Sequence, residues 1–456
     1  FRGDRNSAIN LTTSNNTTGW SNLPIDIEQE NYLVLMNSIV MGTILIQDNS
    51  TTDLAYTNID NIEIQDEQNS TVNYHGGNIS IDPQFADTTN NDYSLSALSP
   101  CISAGASSVT VGGTTYTAHT TDLAGNARPS PAGTVPDIGA YENSNGVASY
   151  SGDNYYVSAS SNYGNGSSTY PFPAIQQGID ASSSGDTVSV AAGTYVENIN
   201  FNGKNIAVIG ADSSNTIIDG DSLTSVVMFK NQENSTALLK NFTIKNGLLI
   251  PGETQAGGVS CYFAHPKLEN LVVTENYGGG IALFYSDSEV KNTEVKYNHL
   301  GAAFHINDDS PTLTNVYIKN NNVQKGLVIT HSDNTFMQGC TISENSGMGV
   351  DIDFSTVEMK TTNIQDNTNS ESVGGIQIQQ SSNVTLSEVV VSGNSASSFG
   401  GIYCNTQSNL IIRNSTIHNN TVTGSGGGFS IDNTSTATII NTTITNNTAV
   451  TPFIEA

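Results

Sequence analysis

Two carboxylates stand two places apart, Asp351 and Asp353, in the alternating stretch Gly349-Val350-Asp351-Ile352-Asp353. On an extended strand that spacing points both to one side. A same-side carboxylate pair suits acid–base work on a glycosidic bond, or the binding of a divalent cation. The Gly-apolar-x-apolar pattern around them recurs at Gly280-Ile281-Ala282-Leu283, Gly326-Leu327-Val328-Ile329, Gly375-Ile376-Gln377-Ile378, Gly401-Ile402-Tyr403-Cys404 and Gly428-Phe429-Ser430-Ile431. Its middle residues form one outward row, Ala282, His305, Val328, Asp351, Gln377, Tyr403 and Ser430. A second row runs through Phe284, Asn307, Thr330, Asp353, Gln379, Asn405 and Asp432. From these rows the residues expected to face a glycan are His305, Asp351, Asp353, Gln377, Tyr403 and Asn405. The plainer expectation is a solvated strand surface, since exposed strand faces are polar anyway.

What must position these rows is a repeat. A branched apolar residue followed three places later by Asn returns from Val273-Asn276 onward, and the Asn set is Asn276, Asn298, Asn321, Asn345, Asn367, Asn394, Asn420 and Asn447. Successive steps are 22, 23, 24, 22, 27, 26 and 27 residues, a solenoid period. Short alternating runs without a helical period predict strands that pair with their equivalents one turn later, about 4.8 Å away. Asn then has two roles: tolerating the left-handed backbone of a tight corner, and bonding amide to amide up a ladder. Since parallel crossovers are right-handed, the expected fold is all-β, a right-handed parallel β-helix.

Composition agrees. The 456 residues carry only 12% charged side chains, and 42 acidic against 14 basic residues give a net charge of −28. Such an acidic chain is a poor partner for nucleic acid or anionic membranes, and no apolar run is long enough to insert in a bilayer. No signal peptide opens the sequence. Phe1-Arg2-Gly3-Asp4 reads as the interior of a longer chain, and the repeat broken off between Ile444 and Ala456 as an open end that more chain or a partner must cover.

In chain order, residues 1–85 read as the last coils of a first β-helix module, with Leu33-Val34-Leu35-Met36-Asn37-Ser38-Ile39-Val40 the clearest strand. Residues 86–145 form its non-repetitive closing segment, 146–152 a linker, and 153–456 a second β-helix module open at its C-terminal end. In that module Phe172, Ile175 and Ile179 fall at helical spacing, predicting a capping helix near 172–182. His75-Gly76-Gly77-Asn78-Ile79, Ser99-Pro100-Cys101-Ile102-Ser103-Ala104-Gly105, Asp122-Leu123-Ala124-Gly125-Asn126 and Asp137-Ile138-Gly139-Ala140-Tyr141-Glu142 resemble the terminal, choice-of-anchor-like segment of bacterial secreted proteins of the pectin-lyase-like superfamily. Gly185-Asp186-Thr187-Val188, Gly193-Thr194-Tyr195 and Asn205-Ile206-Ala207-Val208-Ile209-Gly210 are similar to that superfamily's opening coils. The resemblance implies an extracellular or cell-surface location and does not imply an enzyme.

Other chemistry finds less support. Cys261 and Cys404 share an inward slot six coils apart, about 29 Å at the strand spacing and beyond any disulfide; Cys340 belongs to another inward column and Cys101 has no sequence neighbour. All four are expected as buried thiols. Of the motifs of polygalacturonase-like enzymes only Asp308-Asp309 occurs, and the repeats' one arginine, Arg413, is expected on the face away from Asp351. Calcium suits the charge, but no Asp-x-Asp-x-Asp-Gly loop or Gly-Gly-x-Gly-x-Asp repeat names a site, so no cofactor is assigned. Arg2-Gly3-Asp4 reads as a chance triplet. The expected function is a non-enzymatic structural or adhesive part of a bacterial surface or filament protein. Its partners would be other copies or modules end to end, or cell-surface glycans. The alternative is a module that binds or cleaves acidic polysaccharide along the triplet face.

Overall fold

The structure, a computed structural model, describes residues 5–13, 24–28, 30–64, 69–97, 99–146, 150–161, 164–252, 255–308, 310–424 and 426–449. Phe1-Arg2-Gly3-Asp4, Asp309 and the end at Ala456 lie outside them. The chain forms two compact units, Phe1–Ser182 and Ser183–Ala456.

In the first unit, strands Arg5–Ile9, Tyr32–Met36, Thr51–Ala55 and Thr71–Tyr74 pair in parallel, stacking Ala8, Leu35 and Leu54 in one rung column. Leu33, Leu35, Ile44, Leu54 and Ile59 make its core. The chain then leaves the coil pattern for two antiparallel pairs, Phe85–Asp87 with Asp92–Leu95 and Ser108–Val111 with Thr114–Thr117. Ile138, Cys101 and Ile102 from this region pack on Ile39. Arg128, 6% exposed, is paired with Glu142 at 3.2 Å and donates to the Gly139 carbonyl, so its buried charge is matched. The helix runs Ile175–Ala181 with Ile175 and Ile179 buried. Phe172 lies outside it, in a bridge to Val157, because the Pro171-Phe172-Pro173 sequence favours extended backbone.

The second unit is a parallel β-helix, as the period predicts. Each coil gives one strand to a sheet of ten described strands, from Ile199–Asn200 to Phe429–Ile431, here called the triplet sheet. The rest of the coil feeds a longer sheet, either as two short strands, such as Lys267–Glu269 and Val272–Thr274, or as one continuous strand, such as Thr312–Lys319. In that sheet Val273, Val295, Ile318, Ile342, Ile364, Val391, Ile417 and Ile444 stack in register. Their neighbours in the triplet sheet, Leu327, Val350, Ile376 and Ile402, stack likewise. The four cysteines are free and buried, and burial pushes the Cys101 thiol up to about 12.

The asparagine column is a continuous amide ladder. Asn276 Nδ2 donates to Asn298 Oδ1, and the pattern repeats through Asn321, Asn345, Asn367, Asn394, Asn420 and Asn447 at 2.9–3.0 Å. One expectation is corrected here. The ladder residues do not take the left-handed backbone; the residue before each does, namely Glu275, Tyr297, Asn320, Glu344, Asp366, Gly393, Asn419 and Asn446. A ladder Asn must aim its amide inward along the axis, so the corner's chain reversal falls on its neighbour, whose side chain points to solvent. Asparagine does take the left-handed role in a second column, at Asn241, Asn270, Asn292, Asn315, Asn414 and Asn441. Gly375 has a different requirement: a Cβ there would stand 2.3 Å from the Gly401 carbonyl oxygen and 3.0 Å from Val391. The glycine of the triplet thus exists for close stacking of coils.

Candidate functional site on the triplet sheet

The pairing register sets Ala282, His305, Val328, Asp351, Gln377, Tyr403 and Ser430 in one row across the triplet sheet. Phe284, Asn307, Thr330, Asp353 and Gln379 form the adjoining row. The first row matches the sequence reading and the second does as far as Gln379, Asn405 and Asp432 lying past the ends of their strands; the expected solvated surface does not describe the first. Asp351 is only 4% exposed and Val328 7%. Long neighbouring side chains lean over the row and cover it, which alternation alone does not reveal.

The covering chemistry is centred on Asp351. Lys325 Nζ reaches its Oδ2 at 2.6 Å and Gln379 Nε2 its Oδ1 at 3.3 Å, while Gln377 Nε2 donates to Gln379 Oε1 at 2.7 Å. A buried carboxylate is therefore matched by a cation from the preceding coil and by an amide from the following one, itself held by Gln377. Asp353 is less well served: its Oδ1 is buried and has no hydrogen-bond partner. Burial, then the charge of Asp351, raises its pKa, against the pull of His331 and Lys325. His305 packs edge-on against Phe284 with ring centroids 4.8 Å apart. Burial, then Lys325, pushes its pKa down to about 4, so the imidazole is neutral at pH 7.

Tyr403 lies two rungs from Asp351, about 10 Å along the axis, stacked on Phe399 at 3.8 Å. Asn405 falls past the end of its strand, and its Oδ1 accepts from Thr406, so it belongs to the corner rather than to the row. Arg413 is on the longer sheet, away from Asp351, as expected. The residue that sequence reasoning missed is Lys325. It precedes the triplet glycine Gly326, outside the alternating positions, and only the extended strand Lys325–Thr330 brings it beside the row.

These columns identify the architecture. A family model described as "Right handed beta helix region" matches residues 257–398 and 301–454. The second unit is a right-handed parallel β-helix. Among solved structures, this chain is similar to a pectate lyase (18% identity, 66% of this chain and 79% of that one, TM-score 0.43). It is also similar to the mannuronan C-5 epimerase A-module of Azotobacter vinelandii (14% identity, 57% and 87%, TM-score 0.41). A third is tailspike protein 2 of an Escherichia coli O157:H7 bacteriophage (14% identity, 58% and 40%, TM-score 0.42). A search of curated protein sequences returned no match.

Among the described residues of the β-helix and of the first unit, no three His, Cys, Asp or Glu side chains converge to hold a metal ion. No helix among them is long and apolar enough to cross a membrane. A shallow groove of about 480 Å³ lies elsewhere on the β-helix, over the amide corner, lined by Asn320, Asn322, Glu344, Ser346, Asp366 and Thr368. Asn320 Nδ2 already donates to Glu344 there, at 2.6 Å.

Proposed function

We propose that this chain is an adhesive module of an extracellular bacterial protein, and that the outer face of its triplet sheet binds an extended polysaccharide. The observation that carries this reading is the network around Asp351. Charged and amide groups drawn from three coils are held by one another at fixed spacing, so they can exchange bonds with sugar hydroxyls without first being ordered. A core has no use for them there, and a bare solvated face would not bury a carboxylate. The β-helix supplies geometry: repeating rungs about 4.8 Å apart offer a repeating polymer a repeating surface.

A hydrolytic reading is favoured by one observation. Asp353, with a raised pKa, stands beside Asp351 with their Cα atoms about 6.6 Å apart by strand rise, a pairing that suits an acid and a base. A glycan array paired with a reducing-end assay separates the two. The adhesive reading expects binding by the wild type, lost in Asp351→Ala and Tyr403→Ala, with no new reducing ends. Release of reducing ends that stops in Asp353→Asn, with no unsaturated product absorbing in the ultraviolet, establishes hydrolysis instead. Failure of the wild type to bind any glycan ends both readings.

A further inference from the structure

Beside the two polar rows runs a third column, the residues that follow the second row: Phe263, Tyr285, Asp308, His331 and Phe354. All take left-handed backbone, with φ between 46° and 59°. Large aromatic residues are costly in that conformation, and the equivalent column of the longer sheet fills its left-handed position mostly with Asn. Here the strain secures no core packing, because Phe263 is 48% exposed, Tyr285 39% and Phe354 51%. What it secures is a pair of stacks: Phe263 on Tyr285 at 4.4 Å with rings 5° from parallel, and His331 on Phe354 at 5.2 Å and 13°. Tyr262, 40% exposed, stands edge-on to Phe263 and joins the stack to the second row. The column spans four rungs, about 19 Å along the axis. Strained aromatics held at a surface are a mark of a binding edge.

The charges beside this edge decide what it can bind. Asp308 stands in the column and Asp353 directly precedes Phe354, while Lys325 is already committed to Asp351. The whole chain carries −28. A polymer bearing a carboxylate on each sugar would set like charges against these aspartates on two of the five rungs and against the chain's net negative charge throughout. An uncharged sugar would place its apolar ring face on the aromatic edge and its hydroxyls on Asp351, Asp353 and Gln377.

Resting on the glycan-binding reading above, we infer that the ligand is a neutral polysaccharide, lying along the solenoid axis with its apolar sugar faces against the exposed ring edges of Phe263, Tyr285 and Phe354. This ligand differs from the acidic polysaccharide of the sequence-based alternative in carrying no charge.

Affinity electrophoresis of the full chain tests this, with gels containing mixed-linkage β-glucan or galactomannan on one side and polygalacturonate or alginate on the other. The expected result is retardation in a neutral-polymer gel, changed less than twofold between 20 and 300 mM NaCl, and none in uronate gels. The double variant Phe263→Ala/Tyr285→Ala should lose at least fivefold of that retardation while its thermal midpoint is unchanged or raised. Retardation in uronate gels alone overturns the neutral ligand but leaves glycan binding standing. Retardation in no gel overturns both. Undiminished retardation of the double variant overturns the aromatic edge as the contact surface.

Discussion

Asn345 Nδ2 donates to Asn367 Oδ1 at 2.9 Å, and the same amide also bonds the Ile318 carbonyl in the preceding coil. In return Asn345 Oδ1 accepts from both Nδ2 and the backbone N of Asn321. One side chain thus fastens three coils at a corner that is 1% exposed. Because each amide bonds the next in the ladder as well as backbone carbonyls, the ladder ties successive coils together at constant spacing.

Asn345→Ala should therefore lower stability by about 2–4 kcal/mol, since it takes the acceptor from the buried backbone N of Asn321 and removes the donor to the Ile318 carbonyl and to Asn367 Oδ1. Asn447→Ala, at a half-buried rung, should cost about half as much or less. Chemical denaturation of the two variants beside the wild type measures the difference; equal costs would mean that the ladder is not cooperative.

Thr361 offers the opposite sign. It holds φ 49° in the column where Asn241, Asn270, Asn292, Asn315, Asn414 and Asn441 sit, and a β-branched residue is poorly suited to that conformation. Thr361→Asn should stabilise by about 1 kcal/mol, despite losing the exposed hydrogen bond to Glu388. A rise in the thermal midpoint is the expected reading.

The contrast between these sites shows what could be read from the sequence. Period, strand register and both outward rows follow from Val273-Asn276 and its successors, because ladders require equivalent residues to recur at equivalent places. The left-handed corner falls one residue before the Asn, since an Asn at a corner suits either role and only its hydrogen bonds separate them. Lys325 escaped notice because it lies before Gly326, where alternation makes no statement about facing. The burial of Asp351 depends on side chains from other coils, and strand alternation cannot count them.

The Lys325–Asp351 pair should respond to a double-mutant cycle. Lys325→Met leaves a 4% exposed carboxylate without its cation and should cost about 1–3 kcal/mol, the lower end reflecting the partly exposed ammonium. Adding Asp351→Asn should recover most of that loss. If the two single costs simply add, the pair is not coupled.

His305 gives the face a pH dependence. Its folded pKa, about 4, is below the ordinary 6.5, so the unfolded chain binds the extra proton between those values. Stability from this group is present above pH 6.5 and falls as the pH drops towards 4, by about 1–3 kcal/mol after allowance for its partial exposure. Unfolding midpoints of the wild type and His305→Gln should diverge between pH 7 and pH 4.5, the wild type losing more. Parallel curves would refute the assignment.

The central claim is that the outer face of the triplet sheet is where ligand binds. Amide hydrogen exchange with and without a saturating neutral β-glucan oligosaccharide tests it most directly. The account predicts slowed exchange in Ala302–Asn307, Lys325–Thr330, Met348–Asp353 and Ile376–Gln379, with the longer sheet unchanged. Protection confined to the longer sheet, or to the amide corner at Asn320 and Glu344, would contradict it.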